Sequence, residues 1–155
     1  MVHLTKTRAI IRSFAFISAI LATTLMATHA KGEEPKVLRA GIIGLDTSHV
    51  TAFTKSLNTP GVADERAQVE VVAAYPGGSD DIASSRDRVA GFTKDVSDRG
   101  VEIVDSIDEL LTKVDVVLLE SVDGRPHLEQ AIPVFRAKKL LYIDKPLAGS
   151  LVDCL

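Results

Sequence analysis

Five short runs rich in Val, Ile and Leu alternate with charged stretches of helical spacing, and this constrains the chain more than any other feature. The runs are VLRAGIIGL at 37–45, VEVVAAY at 69–75, VEIV at 101–104, VDVVLLE at 114–120 and LLYI at 140–143. Most are near-continuously apolar, the pattern of parallel strands buried on both faces rather than of strands with one wet side. Helices are expected between them at 48–57, 80–98, 106–113 and 127–138. Ser106 and Glu109 form an S-x-x-E capping box at the start of the third helix. Pro133 should kink the fourth or limit its first turns. Strands and helices in this order imply the α/β class, with a doubly wound parallel sheet, right-handed crossovers and helices on both faces. No internal repeat or low-complexity segment interrupts the pattern.

The first 30 residues are expected to lie outside that domain. Lys6, Arg8 and Arg12 precede the uncharged run SFAFISAILATTLMA, and Thr28-His29-Ala30 leads into polar KGEEPK. A basic start, an apolar centre and a small-residue exit describe a secretory signal peptide. The alternative is an N-terminal membrane anchor, but the run is shorter than the roughly 20 residues that span a bilayer. Residues 31–36, with Pro35, read as a linker to a domain at 37–150, and 151–155 as the start of a further region. Cleavage removes three of 18 basic residues and none of 21 acidic ones, so the net charge goes from −3 to 15 − 21 = −6. That balance argues against a nucleic-acid partner and, after cleavage, an anionic membrane surface. Cys154 has no partner for an internal disulfide, so stability rests on a packed core.

In open α/β sheets ligands bind beyond the carboxyl ends of the strands. A dinucleotide turn uses three glycines, for the tight turn, the close pyrophosphate and the helix–strand packing. After the first strand this chain reads Gly44-Leu45-Asp46-Thr47-Ser48-His49, with only the first glycine kept. Asp46 is expected near the amides that would hold a phosphate; its carboxylate can cap those amides and repels pyrophosphate unless it rotates away or is neutralised. Asp46 or Ser48 as an ordinary N-cap is as good a reading as a functional role. His49 opens the helix, where a histidine in isolation is more often a polar surface residue than a ligand. The second strand ends Tyr75-Pro76-Gly77-Gly78-Ser79, without the acid that usually binds the adenosine ribose, and Asp80 and Asp81 follow. This neutral turn suits a 2′-phosphate or a plain loop equally.

Beyond the fourth strand, ESVDGRPHLEQA places Glu120, Asp123, Arg125 and His127 within eight residues. Unpaired buried charges are costly, so such density marks either a site or a solvated loop. The fifth strand ends in Asp144-Lys145-Pro146, where the acid favours the ammonium form of its neighbour and the proline fixes the backbone, with a cis bond as the minority alternative.

Together RAGIIGLD, HLEQA at 127–131 and DKP at 144–146 resemble the Gfo/Idh/MocA oxidoreductases. The step of 18 residues from His127 to Lys145, and Lys139 at a commonly basic position, fit that family's spacing. The resemblance covers about residues 37–150 and implies a Rossmann-like domain that binds NAD or NADP. It implies that Lys145 contacts nicotinamide and substrate and assists proton transfer, with Asp144 standing for the family's glutamate. The cofactor contacts it suggests are Gly44, Asp46, Thr47, Ser48, His49, Tyr75, Ser121, His127, Asp144, Lys145 and Pro146. The substrate would be a sugar or polyol, and the full-length form a candidate homo-oligomer.

Family members continue into a sheet-rich substrate domain that supplies a catalytic histidine, so the chain is expected to be the amino-terminal part of an enzyme. Two alternatives stand beside the oxidoreductase. One is an exported binding module in which Asp46, His49, Asp123, His127 and Asp144 hold a polyol or a hard divalent metal, although no spacing is diagnostic of a metal. The other is a non-functional fragment. A Sec-type signal, which lacks paired arginines, exports an unfolded chain without cofactor, which argues against periplasmic NAD(P) use.

Overall fold

In the computed structural model residues 36–61 and 65–155 are described. The expected signal peptide, and the expected linker apart from Lys36, lie outside those residues. The apolar runs form five strands: β1 (Leu38–Ile43), β2 (Val69–Tyr75), β3 (Glu102–Ile103), β4 (Val116–Leu119) and β5 (Leu140–Ile143). The helices between them are α1 (Ser48–Leu57), α2 (Ala83–Ser97), α3 (Ile107–Lys113) and α4 (His127–Arg136). A 3₁₀ turn at Glu65–Gln68 precedes β2, and a short α5 (Leu151–Cys154) follows β5.

All four strand pairings are parallel and the order is β3-β2-β1-β4-β5. The chain therefore winds outward from β1 in one direction, then crosses back to β4 and winds in the other. The reversal opens a crevice between the ends of β1 and β4. Both faces are covered, which is why the strands lack polar alternation. Ile43, Val117 and Leu119 pack with Leu110 and Val134 beneath α3 and α4. Ala40, Ile42 and Val71 pack with Val50 and Val96 beneath α1 and α2.

Boundaries shift where local chemistry decides them. α2 starts at Ala83, not 80, because Asp80 and Asp81 form a turn in which Ile82 N donates to Ser79 O at 3.1 Å and Ile82 stays extended. α4 runs through Pro133 and ends at Arg136; Lys138, at φ 55°, then turns the chain into β5. The capping box forms with one change. Ser106 Oγ accepts from Glu109 N at 3.1 Å as expected, while the Glu109 carboxylate reaches back to Asp105 N at 3.2 Å, one residue earlier. At the opposite end of the sheet, Arg39 binds Asp115 through Nε and Nη2, each at 3.1 Å, and Lys139 Nζ donates to Val114 O at 2.7 Å. These contacts tie β1 and β5 to the start of β4, at the edge away from the crevice.

Candidate functional site

The carboxyl ends of β1, β4 and β5 build the site. Gly44 leaves β1 with φ +88°, and a Cβ there would lie 2.3 Å from Ser121 Oγ and 2.6 Å from Ser121 N. Only glycine allows the β1 turn to lie this close to the chain leaving β4. Gly44 N donates to Tyr75 O at 3.0 Å, and Leu45 N to Pro76 O at 3.0 Å, so the end of β2 is held to the same turn.

The residue that caps α1 is Thr47, not Asp46 or Ser48. It is extended (φ −129°, ψ 152°), and its Oγ1 accepts from His49 N at 3.3 Å. Asp46 is fully buried and turned to the neighbouring loops: Oδ2 accepts from Ser85 Oγ at 2.6 Å and Oδ1 from Val122 N at 3.1 Å. With donors on both sides it joins the start of α2 to the β4–α4 loop rather than capping a phosphate site. Ser48 is exposed.

One residue past adjacent strands stand two carboxylates. Glu120 N donates to Ile43 O at 2.8 Å and Asp144 N to Leu119 O at 2.9 Å, so the parallel ladders continue one step and set Glu120 and Asp144 together. His49, from the first turn of α1, completes the group. Its Nδ1 lies 2.5 Å from Asp144 Oδ2 and 3.9 Å from Glu120 Oε2. Since the carboxylate only accepts, Nδ1 carries the hydrogen in this pair. Phe53, four residues along α1, meets the His49 ring edge-on at 6.4 Å, and Tyr142 of β5 meets Phe53 at 6.1 Å.

The two acids differ in environment. Glu120 is buried and neither carboxylate oxygen has a hydrogen-bond partner among the described residues; burial and the Asp144 charge push it up to about 7, against the opposing pull of Lys145. Burial would raise Asp144 too, but the Lys145 amide, His49 and the Lys145 charge hold it below the usual carboxylate value. Lys145 Nζ lies 3.6 Å from Asp144 Oδ2 on a mostly exposed side chain, and the Lys145–Pro146 peptide is cis.

His127 is buried between two backbone carbonyls, with Nε2 2.7 Å from Ser121 O and Nδ1 3.2 Å from Leu147 O. It thus clamps the loops that follow β4 and β5. A Cβ on Gly124 would lie 2.6 Å from Ala148 C, which shows how tightly these loops meet. Ser121 is also buried, its Oγ donating to Gln130 Oε1 at 3.0 Å. Tyr75 lines a groove of about 680 Å³ with Asp105, Ser106, Pro126 and Gln130.

A polar latch joins the loops on either side of β1. Ser79 Oγ donates to Asp123 Oδ2 at 2.6 Å. Arg125 contacts Asp123 through Nε at 2.8 Å and Asp81 through Nη1 and Nη2 at 2.8 and 2.9 Å. Arg125 holds both aspartates below the usual range. Because β2 and β4 flank β1, this latch crosses above the Gly44 turn.

The five polar residues expected at one edge do lie at the strands' carboxyl ends, but they divide into separate networks. His49 and Asp144 meet, Asp46 joins Ser85, Asp123 joins Arg125, and His127 clamps backbone. From sequence Glu120 belongs to a dense polar cluster with Asp123, Arg125 and His127, and nothing there pairs it with Asp144. Its signal was positional, an acid directly after VVLL just as Asp144 directly follows LLYI.

No protein-family model matches the chain, and no curated protein sequence matches it. Solved structures do. A dehydrogenase (MviM) from Clostridium difficile is 25% identical with a TM-score of 0.55, over 76% of this chain and 33% of that one. KijD10, a 3-ketoreductase from Actinomadura kijaniata in complex with TDP-benzene and NADP, is 25% identical with a TM-score of 0.51, over 76% and 33%. The WlbA dehydrogenase from Bordetella pertussis, in complex with NADH and UDP-GlcNAcA, is 17% identical with a TM-score of 0.55, over 76% and 31%, and speaks to the fold alone. The chain thus spans about a third of the length of these structures. Its fold is the Rossmann-like fold of such dehydrogenases.

Proposed function

We propose that residues 37–150 are the cofactor domain of a Gfo/Idh/MocA-type NAD(P)-dependent oxidoreductase acting on a sugar or other polyol. The observation that carries this reading is Lys145, standing beside Asp144 and His49 at the strand ends next to the β1–β4 crevice. The pyrophosphate would lie over the turn from Gly44 to Ser48. The adenosine would take the groove at Tyr75, and the nicotinamide the region of Ser121, Lys145 and Pro146. His127 would act by holding the two loops that frame that region. The cofactor supplies hydride chemistry, and Lys145 moves the proton of the substrate hydroxyl. One of the similar structures at 25% identity, KijD10, is in complex with NADP, which supports the cofactor class. Export by residues 1–30 belongs to the same reading.

The latch bears on entry. A dinucleotide crossing from the end of β2 to the end of β4 requires Arg125 to release Asp81 and Ser79 to release Asp123. Arg125 and Asp81 are both exposed, so added salt weakens their pairing. A second reading, a polyol-binding module without a dinucleotide, is favoured by Asp46, whose buried carboxylate ties together the loops a pyrophosphate would separate.

Thermal denaturation of the chain with NAD(H) and with NADP(H) separates the two, because a ligand that binds only the folded state raises the midpoint. A rise with either cofactor supports the oxidoreductase. No rise at millimolar concentration in folded protein sinks it. Asp46→Gly tests the obstacle directly, since binding that appears only in this variant identifies the carboxylate as the block.

A further inference from the structure

Dinucleotide binding leaves Glu120 unexplained. Its side chain is fully buried, yet neither oxygen receives a hydrogen bond from the described residues, and buried charges are paired or coordinate metals. The polar atoms it faces are His49 Nδ1 at 3.9 Å and the carboxylate of Asp144. A second carboxylate makes the position worse unless a cation stands between them.

We propose that His49, Glu120 and Asp144 form a binding site for one divalent transition-metal ion of the Zn²⁺ or Mn²⁺ class. One imidazole nitrogen and an oxygen from each carboxylate lie within 4.8 Å of one another. A metal about 2.1 Å from each ligand atom needs them about 3–4 Å apart. The His49–Glu120 spacing of 3.9 Å already meets this. The His49–Asp144 contact of 2.5 Å widens when Nδ1 gives up its hydrogen to solvent and takes the metal in its place. Two carboxylates neutralise the ion. The nitrogen ligand favours Zn²⁺ or Mn²⁺ over Mg²⁺, and the lack of thiolate disfavours Cu⁺.

The support is in place without the ion. The backbones of Glu120 and Asp144 are fixed by the sheet ladders, and Phe53, itself packed on Tyr142, meets the His49 ring. The His49 side chain is 39% exposed and that of Lys145 is 72% exposed, so the site opens to solvent beside the lysine. Three protein ligands with an open position is the pattern of an ion that takes up an outside oxygen. The ligand class is a hydroxyl or carbonyl oxygen, which the neighbouring ammonium of Lys145 can also bind. This assignment does not rest on dinucleotide binding.

The test uses the 155-residue chain carrying Cys154→Ser, because the exposed thiol binds zinc in its own right. Chelator-stripped protein is titrated with ZnCl₂ and with MnCl₂ by calorimetry, and CoCl₂ is followed by visible absorption. The expected result is one saturating equivalent and a cobalt d–d spectrum, with Glu120→Gln and His49→Gln each weakening binding by about 10–100-fold or more. Glu120→Gln removes a buried charge and His49→Gln alters a half-exposed side chain, so at least one folded variant is read. No saturation at about 1 mM metal, or equal affinity in the parent and a folded variant, overturns the site.

Discussion

Glu120 shows how a residue's position, rather than its type, sets its chemistry. The backbone ladder that makes β4 part of the sheet carries this side chain one step into the interior, where it meets Asp144 instead of water. Its carboxyl is raised to about 7 from an ordinary 4.5, so the contribution to stability is complete below the ordinary value and is lost as pH rises through about 7. Glu120→Met keeps the volume and removes the charge. In chelator-treated protein at alkaline pH it should raise stability by about 1–2 kcal/mol, with the gain fading below about pH 5. Denaturant melts at both pH values check this; a loss of stability at both would mean that an unseen partner serves the carboxylate. Lys145 and Asp144 could be picked out from DKP set at its spacing from RAGIIGLD and HLEQA, because adjacent residues need no fold to meet. Glu120 could not, since its neighbour Asp144 is 24 residues away and only strand pairing brings them together.

At the scale of elements, the turn after β1 decides the geometry of the whole edge. Gly44 accepts a left-handed φ and the approach of Ser121 at once. Gly44→Ala therefore faces both backbone strain and a clash with backbone atoms. It should cost about 3 kcal/mol or more, well beyond the usual effect of a surface glycine. A fall in the denaturation midpoint measures it, and a change under 1 kcal/mol would show that the β4–α4 loop yields easily. Strand and helix identities were legible because both faces of the sheet are covered, which leaves apolar runs that no other element explains. The ends were less so. Thr47 rather than Asp46 caps α1 because Ser85 and Val122, from other elements, offer Asp46 better donors. Local sequence cannot announce such long-range partners.

For the molecule as a whole, two arginine–aspartate groups fasten opposite edges of the sheet, Arg39–Asp115 at the strand starts and Arg125–Asp123–Asp81 at the strand ends. Hydrogen bonds from these arginines hold all three aspartates below their ordinary 3.8. The folded state thus binds fewer protons than the unfolded one in this range. Their stabilisation is full above about pH 4 and is lost as pH falls through the lower folded values. Circular dichroism melts at decreasing pH should show the midpoint falling from about pH 4, and Asp115→Asn should flatten the fall. The Arg125 latch also sets a rate. Its Arg125–Asp81 pair is exposed, and an exposed ion pair weakens as salt is added. The chain carries a net −3, so an anionic dinucleotide is repelled on approach and then meets a closed latch. Added salt relieves both obstacles, so stopped-flow association should accelerate with ionic strength, the reverse of ordinary phosphate capture; slower association would mean the latch is not on the path of entry.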